Sequence, residues 1–142
     1  MLQYMAKTKK KFLIDTQIFL WIFIEPRRFK PEAKSFVEDT ENNEFYLSYV
    51  SSWEVSIKYG IGKLKLPKSP EELIPELIFL SDYLHLPITL NHVFGVHSLP
   101  PIHRDPFDRL LVSQAKSEGM TLLTADRELI KYDIPTLHFS DI

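Results

Sequence analysis

The chain has 142 residues, 44% of them hydrophobic and 25% charged, so it is long enough for one globular domain and too short for two ordinary ones. Its formal net charge of -2 excludes a generally basic protein that coats nucleic acid, but leaves room for a local basic patch. The absence of cysteine excludes a disulfide framework, a thiolate zinc site and a cysteine nucleophile, and it agrees with a reducing cytoplasm.

The first part of the chain predicts a basic arm, a strand and a helix. We expect residues 1–11 to form a flexible arm ahead of a single domain that uses the rest of the 142 residues. Phe12–Ile14 is a short apolar run that ends at Asp15, which predicts a buried strand. Thr16 can cap a helix that continues to about Ile24.

The apolar stretch from Phe12 to Ile24 does not predict a membrane span or a signal peptide. Asp15 and Gln17 interrupt it, it is short for a span, and no small-residue cleavage site follows it. We therefore expect it to lie in the core, and we expect no membrane partner.

The rest of the chain alternates short apolar strands with helices. This alternation predicts an α/β fold, a three-layer α/β/α sandwich around a central, mainly parallel sheet. The predicted elements are helices at 31–41, 51–60, 69–84, 91–99, 105–119 and 127–132, and strands at 45–50, 86–90, 120–124 and 136–139.

Four carboxylates occupy equivalent places in this pattern. Asp15 and Asp126 follow predicted strands, whereas Glu54 and Asp108 lie in the first turns of predicted helices. Because ligands bind outside the carboxyl ends of the strands in an open parallel sheet, we expect these acids to meet at that edge.

Two of the acids also have a purely structural explanation. Ser51 to Glu54 has the pattern of a capping box, and Asp105 has that of a helix N-cap followed by proline. Asp15 is the exception, because a lone carboxylate in an apolar run is costly unless something compensates it. A divalent cation shared by several acids would provide that compensation.

The residue types favour a hard dication. Two carboxylates about 4 Å apart repel by roughly 4 kcal/mol at an effective dielectric constant of about 20, so several in one pocket need a cation or must protonate. The five histidines have no metal-ligand spacing, and oxygen ligands favour Mg²⁺ or Mn²⁺ over zinc. Such a site can orient a water, lower its pKa and neutralise charge on a phosphate, which is nuclease chemistry.

Four segments of the chain form one ordered pattern: Phe12–Thr16 with Leu20-Trp21, Val50–Lys58 with Gly62–Leu64, His103–Ala115, and Leu122–Asp126. Taken together and in order, they resemble the PIN domain family and specifically its VapC-type toxin ribonucleases. The likeness extends from about residue 12 to the C-terminus.

The resemblance implies which residues form the site. It places the acidic metal site on Asp15, Glu54, Asp108 and Asp126, with Asp15 and Asp108 as the principal ligands and the other two completing the site directly or through waters. Thr16 and Thr124 match positions that orient carboxylates or waters. Asp105 is an extra acid of one subgroup of the family, and we expect it to act as a helix N-cap rather than as a metal ligand.

The resemblance also implies an activity and partners. It implies an Mg²⁺- or Mn²⁺-dependent endoribonuclease that hydrolyses RNA phosphodiester bonds, forms a homodimer and is blocked by a cognate antitoxin, as the toxin of a type II toxin–antitoxin pair. The alternatives are a non-toxin PIN nuclease in RNA processing and a catalytically silent PIN-like binding module. A third alternative, a phosphoryl-transfer domain with an aspartyl nucleophile, is less favoured because Gln17 stands where it needs a second acid.

Several other side chains keep two explanations each. Arg109, with His103 and Arg104, can steady a scissile phosphate or pair with local acids, and Lys58, Lys63 and Lys65 can meet an RNA backbone or be ordinary surface lysines. We expect Trp21 and Trp53 to be core residues rather than base-stacking ones. Four leucines lie on one face of a predicted helix: Leu73, Leu77, Leu80 and Leu84. This face could belong to the core, to a dimer interface or to a groove that binds the antitoxin.

Overall fold

The computed structural model describes residues 8–142, and the first seven residues of the predicted basic arm lie outside this range. It confirms the α/β sandwich, with a five-stranded sheet in which every neighbouring pair is parallel. The strands are β1 (Lys10–Ile14), β2 (Asn43–Ser48), β3 (Leu84–Leu86), β4 (Thr121–Thr124) and β5 (Thr136–His138), and the helices are α1 (Thr16–Ile24), α2 (Pro31–Glu38), α3 (Tyr49–Gly60), α4 (Pro70–Ser81), α5 (Leu90–Gly95) and α6 (Pro106–Glu118).

Side chains of the central strand alternate between the two faces of the sheet. Phe12 and Ile14 of β1 pack in one hydrophobic cluster with residues of α1, α2 and α4, whereas Leu13 packs in a second cluster with Leu111 and Val112 of α6. This is the period of two that a strand buried on both faces requires. The sheet therefore has helices and a core on each side.

The strand order places a crevice beside the first strand. The order is β3-β2-β1-β4-β5, so successive strands run outward from β1 to β3 before the chain crosses to β4 on the other side. The order reverses between β1 and β4, where Ile14 pairs with Leu123. In open parallel sheets this is where ligands bind, outside the carboxyl ends of the strands.

The second strand lies two residues earlier than the prediction of 45–50. Ser48 ends β2 and caps α3, since its side chain accepts a hydrogen bond from the amide of Val50 at 2.9 Å. The cap outweighs the strand preference of Tyr49 and Val50. Glu54 therefore lies in the second turn of α3, and the predicted capping box with Ser51 is wrong.

The first helix is capped by a different residue from the one predicted. Asp15, not Thr16, is the N-cap of α1, and Thr16 is its first helical residue. The predicted arm is also too long, because Lys10 and Lys11 pair with β2 as the first residues of β1.

Several remaining boundaries shift by a few residues. The predicted strand at 86–90 is β3, which ends at Leu86 and takes Leu84 out of the predicted helix at 69–84. The helix predicted at 127–132 is a single 3₁₀ turn at Leu129–Lys131, and α2 ends at Glu38 rather than at residue 41. Within residues 8–142 no helix is both long enough and apolar enough to cross a lipid bilayer.

Candidate active site

A cavity of about 720 Å³ opens at the carboxyl edge of the sheet, beside the ends of β1 and β4. It is strongly acidic, and all four of the carboxylates singled out in the sequence line it. Its acidic residues are Asp15, Glu25, Glu54, Asp105, Asp108 and Asp126.

Asp15 is the most deeply placed of these acids, with 6% of its surface exposed. Its carboxylate accepts hydrogen bonds from the amide of Gln17 at 2.7 Å and the hydroxyl of Thr124 at 2.6 Å. Burial raises the pKa of Asp15, and the nearby charge of Glu54 acts in the same direction. Among residues 8–142 no lysine or arginine forms an ion pair with it, so its charge is held by hydrogen bonds alone.

The two threonines assigned supporting roles differ in what they contact. Thr124 donates to Asp15 and accepts a hydrogen bond from the amide of Asp126 at 2.9 Å, so one hydroxyl ties the ends of β1 and β4 together. Thr16 instead donates to the hydroxyl of Ser51 at 2.7 Å, which joins α1 to α3. Thr124 therefore orients the acids, whereas Thr16 contacts none of them directly.

Asp108 lies in the first turn of α6. Burial raises its pKa to about 7, and the negative charges of Asp105 and Asp15 add to the effect. Asp105 is the N-cap of α6, as expected, and accepts hydrogen bonds from the amides of Phe107 at 2.8 Å and Asp108 at 3.4 Å. The cap thus brings a second negative charge close to Asp108.

Glu54 is held by a lysine one turn further along α3. Only 7% of Glu54 is exposed, and its Oε2 accepts a hydrogen bond from Lys58 Nζ at 2.7 Å. This hydrogen bond is the main reason that the pKa of Lys58 is raised. Because Lys58 is engaged with Glu54, it is not a free cation for an RNA backbone.

His103, for which the sequence allowed either a phosphate contact or pairing with local acids, lies among the carboxylates. Nδ1 of His103 accepts a hydrogen bond from the amide of Asp105, so Nε2 carries the proton and donates to Asp126 Oδ2 at 3.0 Å. Nε2 is also 3.3 Å from Asp108 Oδ2. One ligand atom each from His103, Asp108 and Asp126 lies within 4.8 Å of the others. Within residues 8–142 no other set of three or more histidine or carboxylate ligand atoms is this close together.

The loop that carries His103 is fixed by Arg109, which was expected to face a phosphate or a local acid. Its guanidinium instead donates to the carbonyls of Pro100 at 3.0 Å, Val96 at 3.1 Å and His103 at 3.3 Å. Arginine suits this task because its planar fork offers five donors. Arg109 is therefore a brace for residues 96–103, and it forms no ion pair with a local acid within residues 8–142.

The tryptophans do not both belong to the core. Trp53 is 54% exposed and packs edge-on against Phe107, with ring centroids 4.8 Å apart, so its core assignment is wrong. Trp21 is half-buried, lines the acidic cavity and lies under the guanidinium of Arg28 at 4.5 Å.

The donor set of the cavity suits a divalent cation. The carboxylates are hard oxygen ligands, and the chain has no thiolate to favour a softer metal. Asp15 is buried and Asp108 half-buried, neither has a lysine or arginine partner among residues 8–142, and burial raises the pKa of both. A bound dication would supply the missing positive charge. The imidazole of His103 fits less well as a ligand, because its Nε2 carries a proton.

Comparison with known proteins identifies the family of the chain. The family model described as PIN domain matches residues 12–135. Among proteins with curated functions, none matches the chain significantly in sequence.

Solved structures with the same fold include VapBC and FitAcB structures. VapBC2 from Rickettsia felis, bound to a DNA fragment from its promoter, matches at 17% identity and a TM-score of 0.67, covering 91% of this chain and 98% of that one. FitAcB from Neisseria gonorrhoeae matches at 20% identity and a TM-score of 0.63, covering 92% and 99%. DNA-bound VapBC from Salmonella typhimurium matches at 19% identity and a TM-score of 0.61, covering 92% and 98%. Identities this low establish a shared fold, and the family match then shows that this chain belongs to the PIN domain family, whose members are nucleases.

Proposed function

We propose that this protein is a metal-dependent endoribonuclease that hydrolyses RNA phosphodiester bonds with Mg²⁺ or Mn²⁺. The observation that carries the proposal is Asp15, a buried carboxylate with no lysine or arginine partner within residues 8–142, in one cavity with five other acids. Placing so much negative charge together is unfavourable for folding alone, and it is useful if the cavity holds a dication.

Asp15 and Asp108 would be the principal ligands in this proposal, with Glu54 and Asp126 completing the site directly or through waters. A dication held there would lower the pKa of a water and neutralise charge on the phosphate. The surrounding residues hold the carboxylates in place: Thr124 orients Asp15, Lys58 orients Glu54 and His103 orients Asp126.

The N-termini of α1 and α6 both lie at the cavity. Asp15 caps α1 and Asp105 caps α6, so the first turns of both helices lie at the cavity wall. Their amide dipoles favour the ionised forms of nearby carboxylates, which opposes the effect of burial on their pKa values, and they attract a phosphate group.

We also propose that the nuclease is the toxin of a type II toxin–antitoxin pair, acting on RNA in the cytoplasm as a homodimer with a cognate antitoxin partner. The support is the fold shared with the VapBC and FitAcB complexes. A non-toxin PIN nuclease would use the same cavity, so the two are separated by a growth experiment rather than by the chemistry of the site.

The activity is tested by Asp15→Asn with a metal titration. Asparagine caps helices as well as aspartate does, so the variant should fold, as checked by circular dichroism. We expect the wild-type protein to cleave a mixed RNA pool only when Mg²⁺ or Mn²⁺ is present, and Asp15→Asn to show no cleavage. Asp133→Asn, the same change at an exposed position, should cleave normally. Full cleavage by Asp15→Asn would end the proposal.

The toxin role is tested by controlled expression in a bacterial host. We expect the wild-type protein to arrest growth, the Asp15→Asn variant to be harmless, and a small reading frame beside the gene to relieve the arrest when expressed with it. Normal growth in cells that contain active wild-type nuclease would favour an RNA-processing enzyme instead.

A further inference from the structure

The segment that follows α3 carries two lysines on the wall of the acidic cavity. In the sequence Lys63-Leu64-Lys65-Leu66 the two leucines are partly buried and pack against the core cluster that contains Phe12 and Ile14. Both lysines are exposed and line the cavity. The leucines thus anchor the segment to the core, and both lysines lie on the wall of the acidic cavity together with Leu64.

A fixed turn sets the position of this segment. Gly62 has φ of 76°, a conformation that a residue with a side chain rarely adopts. The chain then folds back so that the amides of Lys63 and Leu64 both donate to the carbonyl of Lys58, at 2.9 and 3.2 Å. The backbone of Lys63 is therefore hydrogen-bonded to Lys58, the residue whose side chain holds Glu54.

The lack of an ion pair distinguishes these two lysines from Lys58. Four basic residues line the cavity, and within residues 8–142 Lys58 alone among them forms an ion pair, with Glu54. Neither Lys63 nor Lys65 forms an ion pair with any residue in the range 8–142. A protein with a net charge of -2 and six acids around one cavity needs such cations to admit a polyanion.

We propose that Lys63 and Lys65 bind consecutive backbone phosphates of the RNA strand and so position it across the carboxylates. The proposal rests on the proposed nuclease function and assigns the two lysines a positioning role, not a catalytic one. The two lysines stand two positions apart in the chain and line the same cavity wall. Both lysines would therefore engage one strand at once.

The test measures the salt dependence of RNA binding. A fluorescein-labelled single-stranded RNA of mixed sequence is titrated with the Asp15→Asn protein, to avoid cleavage, at a fixed low Mg²⁺ concentration and increasing potassium chloride. Lys63→Gln and Lys65→Gln are added to that protein singly and together. Lys68→Gln is the matched control, because Lys68 lies in the same connector but pairs with Glu76 at 2.7 Å and does not line the cavity.

Each phosphate contact with a single strand contributes about 0.7 to the slope of log affinity against log salt. We expect the slope to fall by about 0.7 for each single variant and about 1.4 for the double variant. With equal affinities near 1 M salt, this corresponds to about 5-fold weaker binding per lysine at 0.1 M, and about 25-fold for both. Lys68→Gln should match its parent.

The outcomes separate this proposal from the nuclease function. A double variant with the affinity and slope of its parent overturns the lysine proposal even if the wild-type protein cleaves RNA. The lysine proposal also fails if the Asp15→Asn parent binds no RNA, or if Lys68→Gln weakens binding as much as the cavity variants. Lysine-dependent binding with the predicted slopes supports it, including in the case where the wild-type protein proves unable to cleave.

Discussion

Removing the charge of Asp108 should stabilise the metal-free protein, although it should also abolish activity. Asp108 is half-buried at the start of α6, and its pKa is raised to about 7 by burial and by the charges of Asp105 and Asp15. Asp108→Asn removes this charge, keeps the shape of the side chain and leaves an oxygen that can still accept from His103. If the acid were only a favourable charge in the first turn, its loss would instead be mildly destabilising.

The size of the gain follows from the pKa. A rise from 3.8 to about 7 corresponds to roughly 4 kcal/mol at about 1.4 kcal/mol for each pH unit. The side chain keeps 20% of its surface exposed, so solvent screening reduces this to about 2 kcal/mol. For a chain of 142 residues that is an increase in Tm of about 4–8 °C.

The stability gained by Asp108→Asn should depend on pH. The unfolded chain loses the Asp108 proton near pH 3.8, whereas the native protein keeps it up to about pH 7, so wild-type stability falls with rising pH across this interval. The advantage of Asp108→Asn should therefore be absent near pH 4, grow through the interval and be complete above pH 7.

Thermal unfolding in EDTA at a series of pH values measures the difference in Tm between wild-type and variant. Asp133→Asn, at an exposed position, is the control and should show no comparable gain. With Mn²⁺ the wild-type protein should gain several degrees and Asp108→Asn much less. A variant less stable than wild type at pH 7 in EDTA would refute the view that this acid is held at a cost to stability.

Three further substitutions test other parts of the site. Thr124→Val leaves Asp15 without its hydroxyl donor and should lower the free energy of unfolding by about 1–3 kcal/mol, measured by urea denaturation. Arg109→Lys loses the fork that braces residues 96–103, so hydrogen exchange there should accelerate and stability should fall by about 1–3 kcal/mol. Trp53→Ala should cost less than about 1 kcal/mol because the side chain is 54% exposed, whereas a cost of about 3–5 kcal/mol would place it in the core.

Some parts of the site follow from local rules. Phe12–Ile14 is apolar and β1 is buried, so a carboxylate directly after it had to lie at the carboxyl edge of the sheet. The Asp105-Pro106 pair begins α6 as predicted, because aspartate caps and proline suits the first helical position. These features depend only on neighbouring residues, which is why sequence alone sufficed for them.

Other parts depend on contacts between distant segments. Ser48 and Ser51 are both good helix caps, and the choice between them depends on the hydrogen bonds of Ser48 to Val50 and to Gln114, 66 residues further on. His103 has no helical ligand spacing because it lies in a loop, and only the folded chain brings it to Asp126. Neither outcome has a signal within a short window of sequence.

The central claim, that distant carboxylates form one site for a hard dication, is tested most directly by diffraction. Crystals of the wild-type protein soaked with Mn²⁺ and measured at the manganese absorption edge should show an anomalous peak coordinated by Asp15 and Asp108, and crystals of Asp15→Asn should not. A cavity without a manganese peak at saturating Mn²⁺, in crystals of protein that cleaves RNA, would contradict it.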